Sequence, residues 1–200
     1  LSTSATGYNG TAGSASNAGT YSSVPAVGSL VSGNYDFSYV NGPLIVTKAA
    51  LTITAANDVK TYGSSTTSGG ITYVSGSASV TSQYSISGLV NGDAISSVTL
   101  SSAGGLESAS VVGGPYPINI SAPVVGVISG TQRSTNLDNY TITYAPGTLT
   151  VNKATLTVTA DNKAMTYGDQ LPVLSATISG FVNGEVLGTS GVSGSPALST

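Results

Sequence analysis

The sequence predicts an all-β protein made of tandem antiparallel β-sandwich repeats of the immunoglobulin-like type. Apolar and hydroxyl residues alternate along several short stretches, such as Leu51-Thr52-Ile53-Thr54 and Tyr140-Thr141-Ile142-Thr143. This period of two is typical of strands that have one buried and one solvated face. No stretch spaces its apolar residues as an amphipathic helix would over three turns. A long segment also recurs at a fixed interval, which indicates a repeat protein.

The recurring segment sets the predicted domain organisation. Residues 34–63 return as residues 139–168, at an offset of 105 with no gap and with 16 of 30 positions identical. We place repeat boundaries at Lys48 and Lys153, because a new alternating strand begins soon after each lysine. The predicted domains are residues 1–48, the C-terminal part of a first repeat; residues 49–153, a complete middle repeat; and residues 154–200, the N-terminal part of a third. We therefore expect the chain to be a piece of a longer array.

Seven or eight short strands are predicted in the middle repeat, which is the number expected for a β-sandwich. Turn signals occur at Tyr62-Gly63 and at Asn91-Gly92-Asp93. The predicted strands cover residues 51–55, 71–75, 83–89, 95–101, 115–121 and 124–129, and a hairpin at residues 139–152 closes the repeat.

Each copy of the recurring segment is predicted to form a hairpin with a two-residue turn. Asn41-Gly42 fits a type I′ turn that places Tyr39 opposite Leu44. Pro146-Gly147 fits a type II turn that places Tyr144 opposite Leu149. Both registers put the large apolar side chains on one buried face. Four tyrosines belong to that face, with a sugar-stacking platform as the alternative interpretation: Tyr35, Tyr39, Tyr140 and Tyr144.

Composition and charge exclude several classes of function. Only 6% of the residues are charged, and the net charge is -3, so no basic surface is available for nucleic acid or for an anionic membrane. No apolar run approaches the roughly 18 residues of a transmembrane helix. The sequence has no His and no Cys, which excludes Ser-His-Asp and Cys-His catalysis, thiolate metal sites and disulfides. We expect neither an enzyme nor a cofactor, and we assign no catalytic, cofactor-binding or metal-binding residue.

Acidic residues are the remaining chemical candidates, and we interpret them as turn caps that keep the loops solvated. The four residues in this interpretation are Asp58, Asp93, Asp161 and Glu185. A calcium site is the alternative for a second set, which would act together with backbone carbonyls near a repeat boundary. That set is Asp138, Asp161 and Asp169.

Two kinds of covalent modification are also compatible with the sequence. Lys48 or Lys153 could form an isopeptide crosslink in an apolar site beside a carboxylic acid, for which Glu107 is the candidate in the middle repeat. The simpler interpretation is that these lysines are solvated and mark linkers. Three segments fit the Asn-x-Ser/Thr glycosylation pattern, at Asn9, Asn119 and Asn139.

Five motifs recur at corresponding places in the repeats. They are Lys-Ala-x-Leu-Thr-[Ile/Val]-Thr-Ala, Thr-Tyr-Gly, Ser-Gly-[Leu/Phe]-Val-Asn-Gly-[Asp/Glu], Gly-x-Tyr and Asn-Tyr-x-[Ile/Phe]-x-Tyr. Together they resemble the MBG repeat, a mostly-β, glycine-rich domain of large bacterial surface proteins, over essentially the whole chain. The acidic residue that follows Tyr-Gly is present as Asp169 but is Ser64 in the middle repeat, so a role that depends on it cannot occur in every copy.

The resemblance implies a secreted protein of the bacterial cell surface, similar to adhesins of the filamentous haemagglutinin type, and it supplies no catalytic residues. We expect a structural role as a stalk, spacer or filament-forming segment. The expected partners are neighbouring repeats or head-to-tail copies of the chain, in which residues 154–200 of one copy complete residues 1–47 of the next. The alternative is a module that binds a carbohydrate or a host protein through variable loops at residues 63–82 or 102–114.

Overall fold

A computed structural model describes residues 2–3, 5–6, 16–73, 76–127 and 135–199. These residues form strands, numbered here in chain order, and two short 3-10 helices at Ala103–Gly105 and Leu137–Asn139. The strands are β1 (Ser2–Thr3), β2 (Gly19–Val24), β3 (Gly42–Val46), β4 (Ala49–Ala55), β5 (Asp58–Thr61), β6 (Ser77–Val80), β7 (Tyr84–Ser87), β8 (Ile95–Ser101), β9 (Tyr116–Val125), β10 (Tyr140–Ala145), β11 (Gly147–Asn152), β12 (Thr157–Ala160) and β13 (Ala176–Ser179). The all-β prediction is confirmed. Within the described ranges, no helix has the length and apolar character needed to cross a bilayer.

The chain divides into two compact units. The first comprises residues 1–57, 78–101 and 118–147. It contains one sheet of order β1-β2-β3, a second sheet of order β10-β4-β7, and the antiparallel pairing of β8 with β9. The second unit comprises residues 58–77, 102–117 and 148–200. It contains the parallel pairing of β5 with β11 and the antiparallel pairing of β12 with β13.

The core of the first unit follows the predicted alternation. On β4, Leu51, Ile53 and Ala55 are buried, while the threonines between them are only half-buried. The same period of two buries further aliphatic side chains on β8 and β9, namely Val98, Leu100, Ile118 and Ile120. Each large aliphatic side chain that is fully buried in this way contributes about 1.5–3 kcal/mol.

Several strands of the middle repeat lie close to their predicted positions, at β4, β7 and β8. The segments 115–121 and 124–129 do not form separate strands, because β9 continues through a register shift near Ala122, whose φ is 44°. The prediction of a strand at 71–75 is wrong for residues 71–73, where Thr72 only bridges to Thr66. Residues 74–75 and 128–129 lie outside the described residues. β5 and β6 were not predicted from the sequence.

The hairpin predicted for residues 139–152 is wrong. β10 pairs in parallel with β4, with Tyr140 opposite Ala49, and β11 pairs in parallel with β5, with Leu149 opposite Asp58. Both pairings have the same offset of 91 residues (140 − 49 and 149 − 58). Tyr144 therefore does not face Leu149, and the prediction that all strands pair antiparallel fails for these two pairs.

The hairpin predicted around Asn41-Gly42 is also wrong. β3 pairs antiparallel with β2, with Leu44 opposite Tyr21 rather than Tyr39. Residues 34–40 form no strand, because an alternating pattern gives only a weak preference until a partner strand satisfies its backbone groups. The predicted buried tyrosine face is wrong for three of its members, since Tyr35, Tyr39 and Tyr144 are exposed. The fourth, Tyr140, is 3% exposed and belongs to the core.

Candidate functional site at the repeat junctions

The Tyr-Gly motif of the middle repeat forms a tight turn at the end of β5. The backbone N–H of Tyr62 donates to the carbonyl of Asn152 at 2.8 Å, and the N–H of Ser64 donates back to the carbonyl of Thr61 at 3.0 Å. Gly63 has a φ of +87°, a conformation that glycine adopts without steric cost. The turn therefore fixes the backbone of Tyr62 beside the end of β11.

The Val-Asn-Gly-[Asp/Glu] motif of the third repeat forms a second turn soon after β13. The N–H of Glu185 donates to the carbonyl of Val182 at 3.0 Å. The two central residues, Asn183 and Gly184, have φ values of 55° and 71°, which is the pattern of a type I′ turn. The turn presents the carboxylate of Glu185 and the amide of Asn183 from one short loop.

These two turns contact each other, and we call this contact the Tyr62 junction. The hydroxyl of Tyr62 donates to Oε1 of Glu185 at 2.6 Å. The carbonyl oxygen of Glu107 accepts from the N–H of Gly63 and from Nδ2 of Asn183, both at 3.2 Å. A Cβ at Gly63 would lie 2.5 Å from the Cβ of Val182. The junction thus combines a hydrogen bond to a charged acceptor with packing that only glycine allows.

The same loop motif in the middle repeat has the same turn but a different partner. Asn91 and Gly92 have φ values of 57° and 75°, and the N–H of Asp93 donates to the carbonyl of Val90 at 3.0 Å. The hydroxyl of Tyr140 donates to Oδ2 of Asp93 and accepts from the N–H of Val90 at 3.1 Å. Burial and the hydrogen bond to Asp93 raise the pKa of Tyr140 to about 12. This tyrosine ties β10 to the loop within its own repeat.

We expect the protein to lose stability between about pH 10 and pH 12. The unfolded chain releases the Tyr140 proton near pH 10, whereas the folded protein keeps it until about pH 12, so the folded state binds more protons in this window and its free energy of unfolding falls as pH rises. A shift of that size corresponds to about 2–3 kcal/mol. Urea unfolding at several pH values measures the slope. Tyr140→Phe should flatten it, and an unchanged slope in this variant would contradict the assignment.

A polar contact also joins the N-terminal segment to the middle repeat within the first unit. Asn139 lies in the 3-10 helix before β10, and its Oδ1 accepts from the N–H of Ala18 at 2.8 Å. Its Nδ2 donates to Oδ1 of Asn17 at 3.0 Å. The side chain of this predicted glycosylation site is therefore engaged in the fold. Asn119 is exposed on β9, and Asn9 lies outside the described residues.

The carboxylates that we interpreted as turn caps or as calcium ligands have different surroundings. Asp58 does brace a loop, because its Oδ1 accepts from the N–H of Gly69 at 3.0 Å. Asp161 accepts from the hydroxyls of Ser175 at 2.6 Å and Thr177 at 2.8 Å, and these bonds lower its pKa. Oδ2 of Asp169 accepts from the N–H of Thr166 at 3.1 Å. The described residues bring no three acidic side chains together as a calcium site would require.

The buried lysine is not one of those singled out from the sequence. Lys48 and Lys153 are exposed, whereas an isopeptide crosslink needs an apolar environment. Lys60 is only 2% exposed, and its Nζ donates to the carbonyls of Ser64 and Leu106. Burial lowers its pKa. No signal in the sequence indicated this burial, because alternation along β5 would favour Val59 as the buried side chain, and Val59 is 39% exposed.

The comparison with protein families matches two segments, residues 51–150 and residues 156–199, to the family described as MBG domain (YGX type). The chain belongs to this family. The Tyr-Gly turn of the first matched segment, at Tyr62-Gly63, and the loop of the second, at residues 182–185, are the two sides of the Tyr62 junction. The MBG resemblance seen in the motifs is thus confirmed. No curated protein and no solved structure shows significant similarity to the chain.

Proposed function

We propose that this chain is a structural segment of a secreted bacterial cell-surface protein, in which MBG repeats dock on one another to form a stalk or spacer. The observation that carries the proposal is the Tyr62 junction, through which residues of one MBG match hold a loop of the next. Repeat proteins of this kind act through the interfaces between neighbouring units rather than through a pocket. The proposed role is therefore mechanical, with no catalytic step.

The junction supports this role because it adds stability where the strands alone give little. β12 and β13 form a two-stranded sheet, and all four residues of β12 are exposed. An isolated two-stranded sheet is marginally stable in water. Contacts from Tyr62, Gly63 and Glu107 to the loop that follows β13 supply an attachment outside that sheet. Each repeat of an array would in this way support the next one.

Tyr62→Phe is expected to loosen the third repeat while the middle repeat stays folded. The substitution removes the hydroxyl that donates to Glu185, and a hydrogen bond to a charged group contributes about 1.5–3 kcal/mol. The side chains of Tyr62 and Glu185 are half-buried, so the lower end of this energy range applies. Amide hydrogen exchange in residues 176–179 should therefore become about tenfold faster. Mass spectrometry of exchanged peptides measures this change.

Tyr144→Phe is the matched control, because Tyr144 is exposed and the described residues give its hydroxyl no hydrogen-bond partner. It should leave the exchange of residues 176–179 unchanged. Equal rates in Tyr62→Phe and the control would refute a mechanical junction at Tyr62.

The surface location is tested separately, by antibodies against the chain, which should label intact cells of the source organism as strongly as permeabilised ones.

A binding role remains the second candidate because the two long loops border one groove. The groove has a volume of about 670 Å³ and is lined by Ser65, Thr72, Tyr73, Leu106, Glu107, Ser108 and Asn183. Its hydroxyls and its carboxylate are available to hydrogen-bond to a sugar, but Tyr73 is buried and offers little ring surface for stacking. Screening on a glycan array tests this role, and Thr72→Val, which removes one hydroxyl from the groove, should weaken any binding there.

A further inference from the structure

A second Tyr-Gly turn of the chain has the geometry of the first but no docking partner among the described residues. The N–H of Asp169 donates to the carbonyl of Thr166 at 3.0 Å, as that of Ser64 does to Thr61. Gly168 has a φ of +95°, and a Cβ placed on it would meet nothing within 4 Å. The Tyr167 side chain is fully exposed. The turn is thus preformed and open to solvent.

The loop at residues 90–93 corresponds to the loop that accepts the Tyr-Gly turn in the Tyr62 junction, and it is accessible. It repeats the turn of residues 182–185, with positive φ at the same two positions and the same closing hydrogen bond. Val90, which corresponds to Val182, is 46% exposed. A cavity of about 190 Å³ lies beside the loop and is lined in part by Val46, Ala49, Asn91 and Asp93.

The carboxylate of Asp93 has capacity for a second donor. In the part of the chain that the structure describes, its side chain accepts one hydrogen bond, from Tyr140. An ionised carboxylate can accept about four. The equivalent carboxylate, that of Glu185, accepts from the Tyr-Gly turn of the preceding repeat. One acidic residue at this position can therefore accept both kinds of bond, one from a core tyrosine and one from a Tyr-Gly turn.

We propose that the Tyr167-Gly168 turn of one copy docks on the loop at residues 90–93 of a second copy, so that the chain associates head to tail. Tyr167 donates to Asp93, which keeps its bond to Tyr140, and Val90 packs against Gly168 as Val182 packs against Gly63. The Tyr62 junction supports the Tyr167-Gly168 turn as the occupant of this loop, because the same two motifs already meet there within one chain. The proposal rests on the proposed function and extends its junction to contacts between chains.

Sedimentation equilibrium of the 200-residue chain, up to about 1 mM, tests the proposal. We expect concentration-dependent association that Tyr167→Phe weakens by about tenfold to a hundredfold, as for loss of a hydrogen bond to a charged acceptor. Tyr35→Phe is the control, since Tyr35 is also highly exposed but lies outside both motifs. A monomer at every concentration, or equal association of wild type and Tyr167→Phe, would overturn the proposal.

Crosslinking gives a second measurement that reports the contact itself, and the natural sequence has no Cys that would compete. A mixture of Asp169→Cys and Val90→Cys chains should form a covalent heterodimer with a short bis-maleimide, because Asp169 directly follows Gly168 in the turn and its substitution adds no Cβ to that glycine. A mixture of Ser193→Cys and Val90→Cys chains, in which Ser193 is exposed, should form none above background, and equal yields would contradict the proposed contact. The exchange test of the Tyr62 junction uses dilute monomer, so failure of self-association leaves the proposed function standing.

Discussion

Gly88→Ala is expected to cause the largest loss of stability of any single substitution considered for the middle MBG repeat. Gly88 follows β7 directly and has a φ of +97°. A Cβ there would overlap the carbonyl oxygen of Ala50 and lie 3.3 Å from the Cα of Leu51. These atoms belong to β4, which is paired on both sides in the order β10-β4-β7, so the backbone cannot move away without breaking a sheet.

Two effects add in this variant. A positive φ in a residue other than glycine costs about 1–3 kcal/mol, and an overlap with fixed neighbours costs about 1–3 kcal/mol more. The sum is a large fraction of the roughly 5–15 kcal/mol that stabilises a typical domain. Urea unfolding should show a much lower midpoint for Gly88→Ala, and the variant would be largely unfolded at 37 °C if the repeat is at the low end of that range.

Gly70→Ala separates the two effects. Gly70 has a φ of +78°, and a Cβ on it would meet nothing within 4 Å, so this variant carries the conformational cost alone. It should lose only about 1–2 kcal/mol, within the range for a strained φ. If Gly88→Ala is no less stable than Gly70→Ala, the close approach of Gly88 to β4 is wrong.

The sequence predicts the strands of this protein better than their pairing. Alternation identifies β4 and β8 because burial of every second side chain is a local pattern that a strand carries whatever its neighbour is. The partner of β10 is β4, 91 residues earlier, and nothing in the alternation of Tyr140-Thr141-Ile142-Thr143 refers to that distance. Local pattern therefore favoured the nearest strand and gave a hairpin that does not exist.

Gly147 shows why the turn signal was misread. Pro146-Gly147 has the composition of a two-residue turn, and the prediction assumed that glycine supplies a positive φ. In the structure Gly147 begins β11, and the place of its missing Cβ is occupied by the carbonyl oxygens of Ala55 and Ala56. The glycine is needed for a close approach of two backbones, which a sequence does not distinguish from a turn.

The candidate site was only partly visible for a similar reason. Repetition of the Tyr-Gly and Val-Asn-Gly-[Asp/Glu] motifs marked both sides of the Tyr62 junction, and Glu185 was singled out as a turn cap. The hydrogen bond from Tyr62 to Glu185 joins residues 123 positions apart. Patterns within a single sequence do not encode a contact over that distance. The burial of Lys60 was missed because the repeat position 105 residues later is Met165, so repetition gave no indication of a charged residue there.

Gly63→Ala is expected to have the second-largest effect, and to act on the junction rather than on the core. Gly63 and Gly168 occupy the same repeat position, with φ values of +87° and +95°. Alanine at either position costs about 1–3 kcal/mol for its φ. Only at Gly63 does the new Cβ also meet a neighbour, lying 2.5 Å from the Cβ of Val182. That overlap should push the loop at residues 182–185 away from the turn and lengthen the bond from Tyr62 to Glu185.

Gly70→Ala is the matched variant, because it carries the cost of a positive φ in the middle repeat without any overlap, whereas Gly168 lies in the repeat whose exchange is measured. In Gly63→Ala, amide exchange in residues 176–179 should accelerate by about tenfold or more, since an unrelieved overlap of this kind costs about 1–3 kcal/mol. In Gly70→Ala, measured on dilute monomer, the same amides should exchange as in the wild type, because a Cβ on that glycine would meet nothing within 4 Å. Acceleration in both variants would mean that the turns matter for local folding alone. Acceleration in Gly63→Ala only would show that the third repeat takes part of its stability from the one before it, as a stalk requires.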